Sequence, residues 1–232
     1  MMLLPQTQSA LVPVMQFDAG RTDPRARLLI EAAYALLDEG GLEGLTIRAV
    51  LARTGLARRA FYDNFSGKDD LVLAVFKQTI QMAASHYRAM AEALDSPMDR
   101  LAMIVTSIGL GSAQLESTNP EAAYPADIAK IASRRSAALS REHLRLAESR
   151  PDDLHNTLAP LRALLVEQLQ AAIAAGQVRA GDVDLQARLI YNLVSTTLHT
   201  QLLAEEGEAP DRDRRVYLAT ELWEFCRRAI AA

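Results

Sequence analysis

The sequence predicts an all-α protein: an N-terminal three-helix helix-turn-helix unit joined to a larger C-terminal helical domain. Three observations carry that prediction. Half of the 232 residues are hydrophobic but only 5% are aromatic, so the core material is Ala and Leu, the strongest helix formers. Apolar residues recur at three- and four-residue spacing, and no long stretch alternates β-branched with polar residues as a half-buried strand does. Capping residues, glycines and prolines fall at helix-length intervals.

Asp23-Pro24 opens the first helix, an N-cap followed by a proline whose missing N–H is not needed in the first turn. Leu28, Leu29, Ala32, Ala33, Leu36 and Leu37 run down one face, and Gly40-Gly41 ends the helix. Thr46 caps a second short helix with Ile47, Val50 and Leu51 inward, and Gly55 breaks it. A third spans roughly 57–64. Three short helices with a glycine turn between the last two have the size of a helix-turn-helix unit. Ser66 and Asp69 have the spacing of a capping box that opens a long helix to about Leu94.

Ser96-Pro97-Met98-Asp99 restarts the chain as a helix carrying Leu101, Ile104, Val105 and Ile108. Asn119-Pro120 and Pro125 mark the next boundary. Residues 134–150 are expected to be helical, with Arg134, Arg135, Arg141 and Arg145 on a solvated face. Pro151-Asp152-Asp153 is expected to be a loop. An apolar face returns over 158–175 and closes at Gly176. Asp182 or Asp184 caps a helix to about Glu205, and a last helix runs from near Asp211 to Ala231. Leu185, Leu189, Leu193 and Leu202 mark the apolar face of the first of these, and Val216, Leu222, Phe225 and Ile230 that of the second. The domain division is 1–20, a flexible tail; 21–68, the helix-turn-helix unit; and 69–232, the larger body.

The stretch from Ala26 to Val75 carries Ala32-Ala33, Gly40-Gly41, Thr46-Ile47-Arg48, Ala52-Arg53-Thr54-Gly55-Leu56, Phe61-Tyr62, Phe65, Lys68 and Leu71 in order. In these residues and their spacing it resembles the DNA-binding region of the TetR family of transcriptional regulators. The resemblance implies a ligand-responsive repressor that binds a palindromic double-stranded DNA operator as a homodimer and is released by a small effector. It makes Tyr62 and Lys68 phosphate contacts. Independently of it, a recognition helix needs free side chains at its N-terminus. Ala57, Arg58, Arg59 and Ala60 supply that face, and guanidiniums there pair with guanine. Thr46 offers a hydroxyl and an amide to a phosphate, and Arg48 adds a further base contact. Ala57 departs from the family's usual Ser or Thr cap, and Asn64 from its frequent His.

The resemblance also implies that the C-terminal helices enclose an effector pocket and that the last two, near 185–204 and 214–230, pair with a second subunit. Candidate pocket residues are Met82, His86, Met103, Ser107, Tyr124, Gln168, Asn192, Thr196 and His199, chosen as polar or adaptable groups on helices around the cavity. The effector is expected to be small and partly hydrophobic.

Composition sets limits on the other classes. The net charge of −4 gives no basic footprint overall, but Arg48, Arg53, Arg58, Arg59 and Lys68 fall close together. A lone Cys226 excludes an intrachain disulfide and fits a reducing cytoplasm. Four scattered His and one Cys offer no metal cluster. No apolar run reaches bilayer length, so no membrane partner is expected. The chain has no nucleophile elbow, HExxH or phosphate-binding glycine loop, so neither catalysis nor a cofactor is expected. The alternative is a helical ligand-binding or partner-binding protein without sequence-specific DNA binding.

Overall fold

The structure, a computed structural model, describes residues 23–110, 126–206, 208 and 211–232. The 1–20 tail, Tyr124 and the Asn119-Pro120 and Pro125 boundary lie outside them. The described residues form helices without a strand, in the order α1 Pro24–Gly44, α2 Ile47–Thr54, α3 Arg58–Tyr62, α4 Lys68–Glu92, α5 Pro97–Leu110, α6 Ala126–Ser149, α7 Pro151–Ala174, α8 Val183–Ala204 and α9 Arg212–Ile230. No helix among them is long and apolar enough to cross a membrane.

Capping chemistry places most of these starts. The Asp23 carboxylate accepts from the Arg25 amide at 2.7 Å, that of Asp182 from the Leu185 amide at 3.0 Å, and that of Asp211 from the Arg214 amide at 3.0 Å. Each satisfies a donor that a first helical turn leaves open. Gly41 breaks α1 with φ 60°, and one further helical stretch then runs to Gly44.

Three expectations are corrected. The partner of Ser66 is Asp70 rather than Asp69. The Asp70 carboxylate accepts from the Ser66 amide at 3.2 Å and from its hydroxyl, while Gly67 holds the cap position of α4. Pro151-Asp152-Asp153 is not a loop but the first turn of α7, with the proline where no N–H is required and the acids at the positive end of the helix. That helix continues through Pro160, at the cost of one ladder hydrogen bond. Finally, the Arg134–Arg145 face is not uniformly solvated. Arg135 is buried against Asp38 at 2.6 Å, and its guanidinium stacks 4.6 Å from the centre of the Tyr34 ring.

Two apolar cores result. The first gathers Leu29, Ala33, Leu37, Leu45, Val50, Phe61, Phe65, Leu71 and Val75 from α1 to the start of α4. The second fills the body, where α5 packs against α4, α7, α8 and α9 with Leu101, Ile104, Leu164, Leu165, Leu169 and Val194 at its centre. Helix α6 contributes to both, Ala138 to the first and Leu146 to the second.

Candidate nucleic-acid interface

The N-terminal site is built on α1. Thr46 accepts from the Ala49 amide at 3.1 Å through its hydroxyl and so starts α2. Gly55 ends that helix with φ 68°, a left-handed conformation that favours glycine. Thr54 reinforces the turn, donating to the Val50 carbonyl at 3.0 Å and accepting from the Leu56 amide at 3.3 Å. The chain reaches α3 in an orientation set by this turn. Phe61 is fully buried and meets the Phe65 ring at 5.8 Å between centroids, which anchors one side of α3 and turns the other outward.

That outward side carries Ala57, Arg58, Arg59 and Tyr62, all exposed. Arg48 on α2 is exposed as well. Arg58 lies over the Tyr62 ring at 5.8 Å to the centroid, an arrangement that orients a cation without neutralising it. Arg53, by contrast, is engaged by Glu39 at 2.8 Å. Ala60 differs from expectation: it is 8% exposed and so lies off the outward side of α3. The Asn64 side-chain amide donates to the Ala60 carbonyl at 2.9 Å. Asn64 therefore ties off the end of α3.

Lys68 is half-buried and donates to the Leu42 carbonyl at 2.6 Å. It fastens the start of α4 to the end of α1, and an ammonium retains two further donors. Ala57 provides no side-chain cap, so the first turn of α3 presents open N–H groups to solvent.

The described candidate effector residues divide between the interior and the surface. Ser107 is fully buried, with its hydroxyl 3.4 Å from the Met103 sulfur. Gln168 is 4% exposed, and its Oε1 has no hydrogen-bond partner. His199 reaches the interior and meets His143 with ring centroids 4.3 Å apart. Met82 and His86 are half-buried on α4. Asn192 and Thr196, however, are exposed, because they stand three and seven residues from Leu189 and share its face. Leu189 is 59% exposed.

Sequence patterning missed several interior groups. The Tyr87 hydroxyl donates to the Ser107 carbonyl at 3.2 Å, and burial raises its pKa. Tyr191 is buried too. Burial pushes His143 down to about 4 and, with the charge of His143 adding to it, His199 also to about 4. His143 sits on α6 among charged neighbours in sequence, so its periodicity gives no sign of an interior ring. Among the described residues no three metal-ligating side chains cluster.

Residues 29–75 match the sequence profile of bacterial regulatory proteins of the tetR family. Comparison with curated proteins gives no match. Among solved structures, the transcriptional regulator FadR from Bacillus subtilis in complex with stearoyl-CoA superposes with a TM-score of 0.60 at 17% identity, over 86% of this chain and 96% of that one. The fatty acid degradation regulator FadR from Bacillus halodurans gives 0.64 at 16% identity, over 89% and 96%. The ketosteroid transcriptional regulator KstR2 of Mycobacterium tuberculosis gives 0.53 at 19% identity, over 92% and 98%. At these identities the likeness is one of fold.

Proposed function

We propose, from the match of residues 29–75 to the profile of bacterial regulatory proteins of the tetR family, that the chain is a repressor of that type, which grips a palindromic operator as a homodimer and releases it on binding a small, partly hydrophobic effector. The observation that carries the reading is the pair Arg58 and Arg59. Both stand exposed at the start of α3, and no ion pair holds either of them among the described residues. Guanidiniums so placed supply base contacts in a major groove, with Arg48 beside them. Thr46, Tyr62, Lys68 and the open amides behind Ala57 supply the phosphate contacts that fix register.

The exposed apolar side chains of the last two helices support the homodimer. Leu185, Leu189 and Leu193 on α8 and Val216, Tyr217 and Phe225 on α9 all face solvent in the single chain. Two such helices from each subunit make a four-helix interface about a two-fold axis. For the effector, the support is the largely apolar second core with Gln168 as a buried acceptor left without a donor. The stearoyl-CoA and ketosteroid regulators named above give that chemistry precedent among similar folds. An effector that favours a released conformation by a hundredfold lowers operator affinity by about 2.7 kcal/mol.

The test is binding of the purified protein to the DNA flanking its own gene, and to random-sequence DNA for selection of an operator, across a range of salt. Binding that selects one sequence and falls steeply with salt is expected, with a slope near −0.9 per phosphate neutralised. Loss of that binding in Arg58→Ala/Arg59→Ala assigns it to α3. Binding with a shallow salt slope, or the same in the double variant, removes α3 from the interface.

A further inference from the structure

The helix that carries α3 is held from behind by a helix of the body. Helix α6 packs along α1, and its Arg135 reaches two side chains one turn apart there. It binds the Asp38 carboxylate at 2.6 Å with side-chain exposures of 7% and 18%, and lies over the Tyr34 ring at 4.6 Å. Ala138, one turn on, enters the first core. Further along the same helix, His143 meets Phe76 of α4 at 6.0 Å and His199 of α8 at 4.3 Å. One rigid helix thus grips the DNA-reading unit with its first half and the body with its second.

The covalent connection alone does not fix the angle between these parts. Chain continuity passes through Gly67 into α4, whose first turns pack Leu71, Val72 and Val75 into the core of the unit and so leave its tilt against α6 to the contacts that α6 makes. Around the start of α4 lie Arg145 with Asp69 at 3.4 Å and Arg150 with Asp70 at 3.1 Å, pairs in which every side chain is a third or more exposed. Exposed pairs contribute little. Arg135 grips α1 away from that junction, in a buried setting where a guanidinium fork is directional.

We propose that Arg135, through Asp38 and Tyr34, is the positioning residue that sets the angle of the DNA-reading unit on the body, and with it the half-site spacing that a dimer accepts. The inference rests on the dimeric operator-binding reading above. In a two-fold dimer the separation of the two α3 helices follows from this angle on each side, and one base pair of spacing alters both the distance and the rotation between half-sites. A loose angle leaves each α3 competent for its own half-site but removes the penalty for a wrong spacing.

The experiment uses the full chain and synthetic duplexes carrying the operator that the wild-type protein selects, with the half-sites at native spacing, one pair closer, one pair further, or with one half-site alone. The variant is Arg135→Leu/Asp38→Leu, which removes both charges together, and Arg135→Lys keeps the cation. Wild type is expected to prefer native spacing by about tenfold or more. In the double variant the preference falls to about threefold or less, while half-site affinity stays within about twofold of wild type. Arg135→Lys retains an intermediate preference. An unchanged spacing profile in the double variant overturns the inference alone, and an equal loss on the half-site makes the pair merely structural. A wild-type protein that selects no spaced operator overturns the dimeric reading and the inference together.

Discussion

Arg58 and Arg59 stand in solvent without an ion pair among the described residues, whereas Arg135 and Arg215 are buried, each against an acid: Asp38 at 2.6 Å and Glu205. The same side chain serves opposite ends. At the proposed reading face an unsatisfied cation is useful, because DNA would supply the missing charge. In the body a buried cation without its acid is a liability, so each is matched within the chain. The hydrogen-bonding groups follow the same division. Open amides lie at the start of α3, while in the body Tyr87, Ser107 and Tyr191 are enclosed, and Gln168 Oε1 is one of four buried side-chain atoms without a hydrogen-bond partner among the described residues.

Four experiments bear on that contrast. The largest effect is expected from Arg58→Ala/Arg59→Ala. Two lost base contacts remove roughly 2–6 kcal/mol of operator affinity with the melting temperature unchanged, as titration and calorimetry report; a large fall in melting temperature instead would place these cations in the fold. Next is Arg135→Leu alone, which strands Asp38 and lowers stability by about 3 kcal/mol in denaturant unfolding. Adding Asp38→Leu recovers most of that loss, because an apolar pair replaces a charged one; no recovery would mean that packing against Tyr34 dominates.

The third is a pH effect confined to the body. His143 and His199 are neutral when folded, with pKa about 4, and take up a proton near pH 6.5 when unfolded. The stability tied to their neutral burial is full above pH 6.5 and drains as pH falls towards 4. Between pH 7 and pH 5 the loss is on the order of 2 kcal/mol for each ring. His143→Phe flattens the profile of unfolding free energy against pH, and an unflattened profile assigns the acid loss to other groups. The smallest effect is expected at Ala57→Ser, which restores a side-chain cap worth about 1 kcal/mol. It slows amide exchange over 58–62 in the free protein, and unchanged exchange would show those amides already protected.

How much of this was legible in the sequence follows from the range of each interaction. Thr46, Gly55 and the apolar spacing of Phe61 and Phe65 act within a few residues, so the helix-turn-helix unit is readable from local order. Ala60 was not, because α3 is a five-residue helix and so short a stretch leaves its inward side ambiguous. Arg135 looked like surface charge because its acid lies 97 residues away. Asn192 and Thr196 were placed with the effector although they share a face with Leu189. An apolar stripe reads the same whether it turns to a core or to a partner surface, and only the packing of α8 shows that Leu189 points out while Val194 points in.

Helix α4 contributes Leu71, Val72 and Val75 to one core and Phe76, Ala83, Tyr87 and Ala91 to the other. Melting it in one place strips side chains from both, so the two halves of the molecule stand or fall together. Heating is accordingly expected to give a single cooperative transition in calorimetry, and limited proteolysis to leave no folded fragment of either half. The reading unit is not a detachable head but the outer end of one continuous folding unit.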